Sequence, residues 1–88
     1  MVQQSVLVVN ALGLHARAAA RFVRLAGRFK AQIRVTRGAR TTDGKSILGL
    51  LLLGAARGTE ILISADGVDE AEAMTALSAL AAGGFEDP

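Results

Sequence analysis

At 88 residues, 51% of them hydrophobic, the chain has the length of one small domain and enough apolar material to fold without a disulfide framework, which its lack of cysteine also rules out. No cysteine and one histidine exclude a thiolate metal site and a structural zinc, and the longest apolar run, Ile47 to Ala56, falls well short of the ~20 residues that span a bilayer. The net charge of +2 conceals a polarity: residues 1–45 hold nine Lys or Arg against Asp43 alone, and residues 46–88 hold Arg57 against seven acids.

A basic half suits an anionic partner, whether nucleic acid, an acidic protein surface or a phosphate group. Three Phe, no Tyr and no Trp leave few aromatics on which single-stranded nucleic acid could stack, so nucleic acid is only a remote alternative. The opening Met1-Val2-Gln3-Gln4-Ser5 lacks the basic segment of a secretory leader, and a cytoplasmic, non-membrane protein is expected.

Residues 2–9 carry the β-branched run Val6-Leu7-Val8-Val9 and read as a first strand, followed by turn residues Asn10 to Gly13. From Ala16 to Gly27 the period changes to that of a helix. Ala16, Ala19, Ala20, Val23 and Ala26 fall on one side, Arg17, Arg21, Arg24 and Arg28 on another, and Gly27 serves as a stop or as a close-packing position. Ala31, Ile33 and Val35 alternate with polar residues as a half-buried strand. Arg37-Gly38-Ala39 suits a hairpin into a short partner strand at Arg40-Thr41-Thr42, and Asp43-Gly44 turns the chain again. Ser46 opens a leucine-rich helix that Gly54 closes, and Ile61, Ile63 and Ala65 mark a fourth strand. Asp69 with Glu72 suggests a capping box ahead of a last helix whose apolar stripe is Val68, Ala71, Met74, Leu77, Leu80 and Ala81. Residues 83–88 are expected to form a loosely held tail. The order β-α-β-β-α-β-α predicts an α+β fold over residues 1–88: an open-faced sandwich of a four-stranded antiparallel sheet with three helices on one face.

His15 directly precedes the first helix, where backbone N–H groups have no intrahelical acceptor and the helix end favours an anion. Arg17 adds a planar, bidentate donor for phosphate oxygens. Imidazole is nucleophilic near neutral pH, so the pair suits formation and discharge of a phosphohistidine with no metal or cofactor. By position alone His15 serves equally as a plain helix cap. Gly44-Lys45-Ser46 is not the end of a nucleotide-binding P-loop, because Ala39 stands where that motif needs Gly and the domain is too small.

Gly13-Leu14-His15-Ala16-Arg17 closely resembles the active-site motif of the histidine-containing phosphocarrier (HPr) family of the bacterial phosphoenolpyruvate:sugar phosphotransferase system. The resemblance extends to Gly44-Lys45-Ser46-Ile47-Leu48-Gly49, Gly58-Thr59, Ala65-Asp66-Gly67 and Asp69-Glu70-Ala71, and so covers nearly the whole chain. It implies that His15 is phosphorylated on Nδ1 by enzyme I, that Arg17 steadies the phosphoryl group, and that enzyme IIA domains of sugar transporters accept it. The protein is then a monomeric relay without turnover of its own. Ser46 matches a serine that an HPr kinase/phosphorylase modifies in some bacteria, with Lys45 beside the added phosphate. A regulatory relative, of the nitrogen-related branch or an incomplete phosphotransferase system, is the alternative. Docking is expected through Ala16, Ala20, Arg21 and Arg24 of the first helix and Ile47, Leu48, Leu51 and Leu52 of the second, with part of the leucine set in the core instead.

Two positions depart from the family pattern. Ala18 stands where proline is usual; it keeps the helix and adds an N–H near the phosphate, at some cost in rigidity. Leu52 replaces a small polar residue and makes the second helix more apolar.

Overall fold

Strict alternation in the strands decides which face of the sheet is dry. The computed structural model describes residues 1–86. In chain order they form β1 (Val2–Leu7), α1 (Ala16–Ala26), β2 (Gln32–Arg37), β3 (Arg40–Asp43), α2 (Ile47–Leu53), β4 (Glu60–Asp66), α3 (Glu70–Ala82) and a short 3-10 turn (Gly84–Glu86). The strands pair antiparallel in the order β1-β4-β2-β3. Val6 lies opposite Ile61, and Val35 lies between Ile63 and Thr42. That register collects Val6, Ile33, Val35, Ile61, Ile63 and Ala65 on a buried face, while Gln3, Ser5, Arg34 and Glu60 remain exposed on the other. The three helices cover the apolar face, with α3 against β1 and β4 and α2 against β3 and β2. The open-faced α+β sandwich expected from the sequence is therefore the fold. β1 stops at Leu7 instead of continuing to residue 9, although buried Val8 still donates its N–H to the Thr59 carbonyl and accepts from Gly58.

Both long helices are rotated from the faces that simple periodicity assigns. In α1 the buried residues are Ala18, Ala19, Phe22 and Ala26; Ala16 is exposed, and Ala20 and Val23 are half-buried. Phe22 decides this orientation, because one aromatic ring removes far more apolar area from water than several alanine methyls. Gly27 is the C-cap that ends α1, as expected, although with right-handed angles (φ −65°, ψ −14°), and it is exposed, not closely packed. In α3 the core contacts are Ala73, Met74, Leu77 and Ala81, Leu80 is half-buried, and Ala71 and Val68 are exposed. Val68 precedes the helix altogether.

The expected Asp69–Glu72 capping box is absent, since the Asp69 carboxylate makes no hydrogen bond to its own helix. Its two oxygens instead accept the backbone N–H groups of Lys30 and Ala31, both at 2.8 Å, which ties α3 to the approach to β2. These bonds to the ionised form hold the Asp69 carboxyl below the ordinary carboxylate range. Glu70 accepts the Gly67 N–H at 3.2 Å and pairs with the Met1 ammonium at 3.1 Å; the bond from Gly67 leads in lowering its pKa.

The segment after α3 is not a loose tail either. Phe85 adopts left-handed angles (φ 58°, ψ 29°) and is completely buried, and the Arg21 guanidinium donates to its carbonyl at 2.9 Å. Burial of a phenyl ring offsets the left-handed cost for a residue with a side chain. The part of the expected tail at residues 87 and 88 lies outside the described residues.

Candidate functional site

The chain enters α1 through a loop held in place by Ala55 on one side and Asn10 on the other. Gly13 has a positive φ of 64° and sits so close to Ala55 that a Cβ would collide with the Ala55 carbonyl oxygen, so only glycine fits there. That same carbonyl accepts the Leu14 N–H at 2.9 Å, and the Leu14 side chain is buried. On the other flank the Asn10 side-chain nitrogen donates to the Gly13 carbonyl at 2.8 Å.

His15 then stands as the N-cap of α1 in extended conformation (φ −79°, ψ 179°). Its carbonyl accepts the Ala19 N–H at 2.9 Å, the first bond of the helix ladder. Its imidazole Nδ1 accepts the Arg17 N–H at 3.3 Å. An Nδ1 that accepts is unprotonated, so the ring proton of the neutral histidine resides on Nε2 and the nucleophilic lone pair belongs to Nδ1. The ring is half-buried, with Arg17 exposed two residues along at the same helix end. The arrangement brings an imidazole nitrogen and backbone N–H donors together at the start of α1, with Arg17 exposed on its first turn. Among the described residues no three His, Asp or Glu side chains stand close enough together to hold a metal ion.

A family model described as "PTS HPr component phosphorylation site" matches residues 2–82. The phosphocarrier protein HPr of Neisseria meningitidis is 49% identical over 85 residues, covering 97% of this chain and 96% of the relative. The chain belongs to the HPr family. The crystal structure of HPr-C-His from Thermoanaerobacter tengcongensis superposes with a TM-score of 0.95 at 39% identity, covering 100% of this chain and 99% of that one. The HPr-like protein Crh of Bacillus subtilis is 43% identical over 79 residues, 90% of this chain and 93% of Crh. No helix among the described residues is long and apolar enough to cross a membrane.

Within this HPr fold α2 packs beside α1 and begins at Ser46, whose hydroxyl oxygen accepts the Gly49 N–H at 3.0 Å. The Lys45 ammonium donates to the Phe29 carbonyl at 2.7 Å, past the end of α1. Cation and carbonyl satisfy one another there, so the contact ties the start of α2 to the segment after α1. α2 divides cleanly. Leu50 and Leu53 are core residues, Leu51 is half-buried, and Ile47, Leu48 and Leu52 are exposed.

Of the residues expected to dock partners, Ala16, Arg24, Ile47, Leu48 and Leu52 are exposed, and Ala20 and Leu51 contribute partial surfaces. Arg21 is half-buried and engaged with Phe85, so it braces the segment after α3. Leu12, 68% exposed on the loop before His15, adds an apolar side chain that periodicity missed. Its one available signal was an apolar residue inside a turn sequence.

Proposed function

We propose that the protein is a phosphocarrier: it takes a phosphoryl group from phospho-enzyme I on His15 Nδ1 and passes it to enzyme IIA domains of sugar transporters. The observation that carries this reading is the Arg17 N–H to Nδ1 hydrogen bond, which leaves the nucleophilic lone pair at the amide-rich end of α1. In the transfer the Nδ1 lone pair forms the N–P bond as the bond to the donor breaks, and the breaking bond's electron pair stays with the donor. The Nε2 proton does not move. The Arg17 N–H, released from Nδ1, is then available to a phosphoryl oxygen, and the Arg17 guanidinium supplies charge. At 3.3 Å the bond given up is a weak one.

In this reading one domain acts as a cytoplasmic monomer, with no turnover and no cofactor of its own. Arg24 and the exposed face of α2 make fast, salt-sensitive contacts with acidic partners. Incubation with enzyme I, Mg2+ and labelled phosphoenolpyruvate should give an acid-labile label on the wild type and none on His15→Ala. An unlabelled wild type, or equal labelling of the variant, overturns the reading.

The partly exposed Ser46 hydroxyl at the start of α2 supports a second, regulatory role as the target of an HPr kinase. A phosphate there gives up the Gly49 cap and adds negative charge beside the docking face. Incubation with such a kinase and ATP should give an acid-stable phosphate that Ser46→Ala lacks; an unmodified wild type removes this role.

A further inference from the structure

Asn10 is the one buried polar residue among the described residues, at 5% exposure in a core otherwise made of apolar side chains. Buried polar groups cost stability unless they are satisfied, so a site that keeps one has a use for its directionality. Its side-chain nitrogen donates to the Gly13 carbonyl at 2.8 Å, and the Asn10 carbonyl accepts the Gly13 N–H at 3.1 Å. The Gly13 carbonyl also accepts the His15 N–H at 2.9 Å. Thus a single oxygen joins the Asn10 carboxamide to the backbone of the N-cap, while the Leu14 N–H to Ala55 bond fixes the intervening peptide from the opposite side.

We infer that Asn10 is a positioning residue for phosphoryl transfer: through the Gly13 carbonyl it sets the backbone angle at which His15 presents Nδ1 to an incoming phosphorus. The inference rests on the phosphocarrier reading of His15. An imidazole at an N-cap has two soft torsions of its own, so its reach depends on where the Cα is held. Asn10 determines that from one direction, and the close fit of Gly13 on Ala55 from the other. Displacement of a reacting atom by about 1 Å can cost a hundred-fold in rate.

The test uses two substitutions with different defects. Asn10→Ala removes the carboxamide, and Asn10→Asp keeps its shape while replacing the donor with an oxygen that repels the Gly13 carbonyl. Both should accept phosphate from phospho-enzyme I roughly ten-fold or more slowly than wild type. In both, the 15N signals of His15 Nδ1 and Nε2, recorded in alkaline solution, should move toward one another as the Arg17 bond loosens and the tautomer preference fades. Ile33→Val, which weakens the core at the opposite end of the sheet, should change neither readout at an equal loss of Tm.

Asn10→Asp with wild-type rate and wild-type His15 signals overturns the inference, as does an equal slowing by Ile33→Val. If the variants do not fold, the wild type still decides: the Asn10 side-chain N–H protons should exchange far more slowly than those of exposed Gln3, and equal rates overturn the positioning role. An unlabelled wild type defeats the phosphocarrier reading instead, and the 15N and exchange comparisons then still report on whether Asn10 orients His15.

Discussion

His15 and Ser46 occupy matching places, each one residue ahead of a helix and each turning a side-chain acceptor back onto its own first turn. The imidazole takes the Arg17 N–H at 3.3 Å and the hydroxyl takes the Gly49 N–H at 3.0 Å. Serine is among the residues preferred at this position, and its placement is explained by helix stability alone. Histidine is not, and the longer bond it makes is a poor reason to keep it. What distinguishes the first site is the setting of an ordinary cap: a loop held on two sides and an imidazole nitrogen turned onto the helix amides. The pair teaches that a function is to be sought where helix stability would have chosen another residue.

The sharpest way to break that comparison is to give α1 the better cap. His15→Asn should abolish acid-labile labelling altogether, yet leave stability unchanged or raised by a few tenths of a kcal/mol to ~1 kcal/mol in urea unfolding. A net loss of stability would mean that the imidazole serves its helix as the Ser46 hydroxyl does. Next in size is the division within α2. Leu50→Ala should cost ~2–5 kcal/mol, because its side chain is wholly buried. Leu48→Ala, at a position 66% exposed, should stay within about 0.5 kcal/mol of wild type while slowing transfer from enzyme I. Ser46→Ala comes third, with ~1 kcal/mol lost and His15 labelling retained. If Ser46→Ala also prevented labelling, the two caps would not be separable.

Much of the fold was legible because sheet burial follows a period of two that Ile33 and Val35, or Ile61 and Ile63, state directly. His15 as a cap and Ser46 as a cap were equally legible, being local in sequence. The helix faces were not. A stripe of alanines weighs as much as Phe22 in a periodicity count and far less in buried area, so α1 is turned toward its aromatic residue. Contacts between distant segments were hidden for a different reason: Arg21 with Phe85, Lys45 with Phe29 and Asp69 with Ala31 join residues that no spacing rule relates. For that reason the sequence did not show the backbone carbonyls that Arg21 and Lys45 engage.

Asp69 extends the comparison to the third helix start and gives its smallest effect. Here a residue well suited to capping its own helix turns away and binds two N–H groups of another segment. Because the folded state lowers its pKa below the ordinary value of 3.8, the ionised carboxylate contributes stability that is fully present above that value and is lost as pH falls through the folded pKa. Asp69→Asn should therefore melt below wild type at neutral pH, with the gap narrowing as the solution is acidified below about pH 4. The half-exposed setting of this group and the screening of its charge by salt keep the effect modest. A gap that stays constant across the acid range would mean that charge is irrelevant and that Asp69 only fills space. A gap that closes would set it apart from His15 and Ser46, as a helix-start residue whose charged side chain serves another segment and not its own helix.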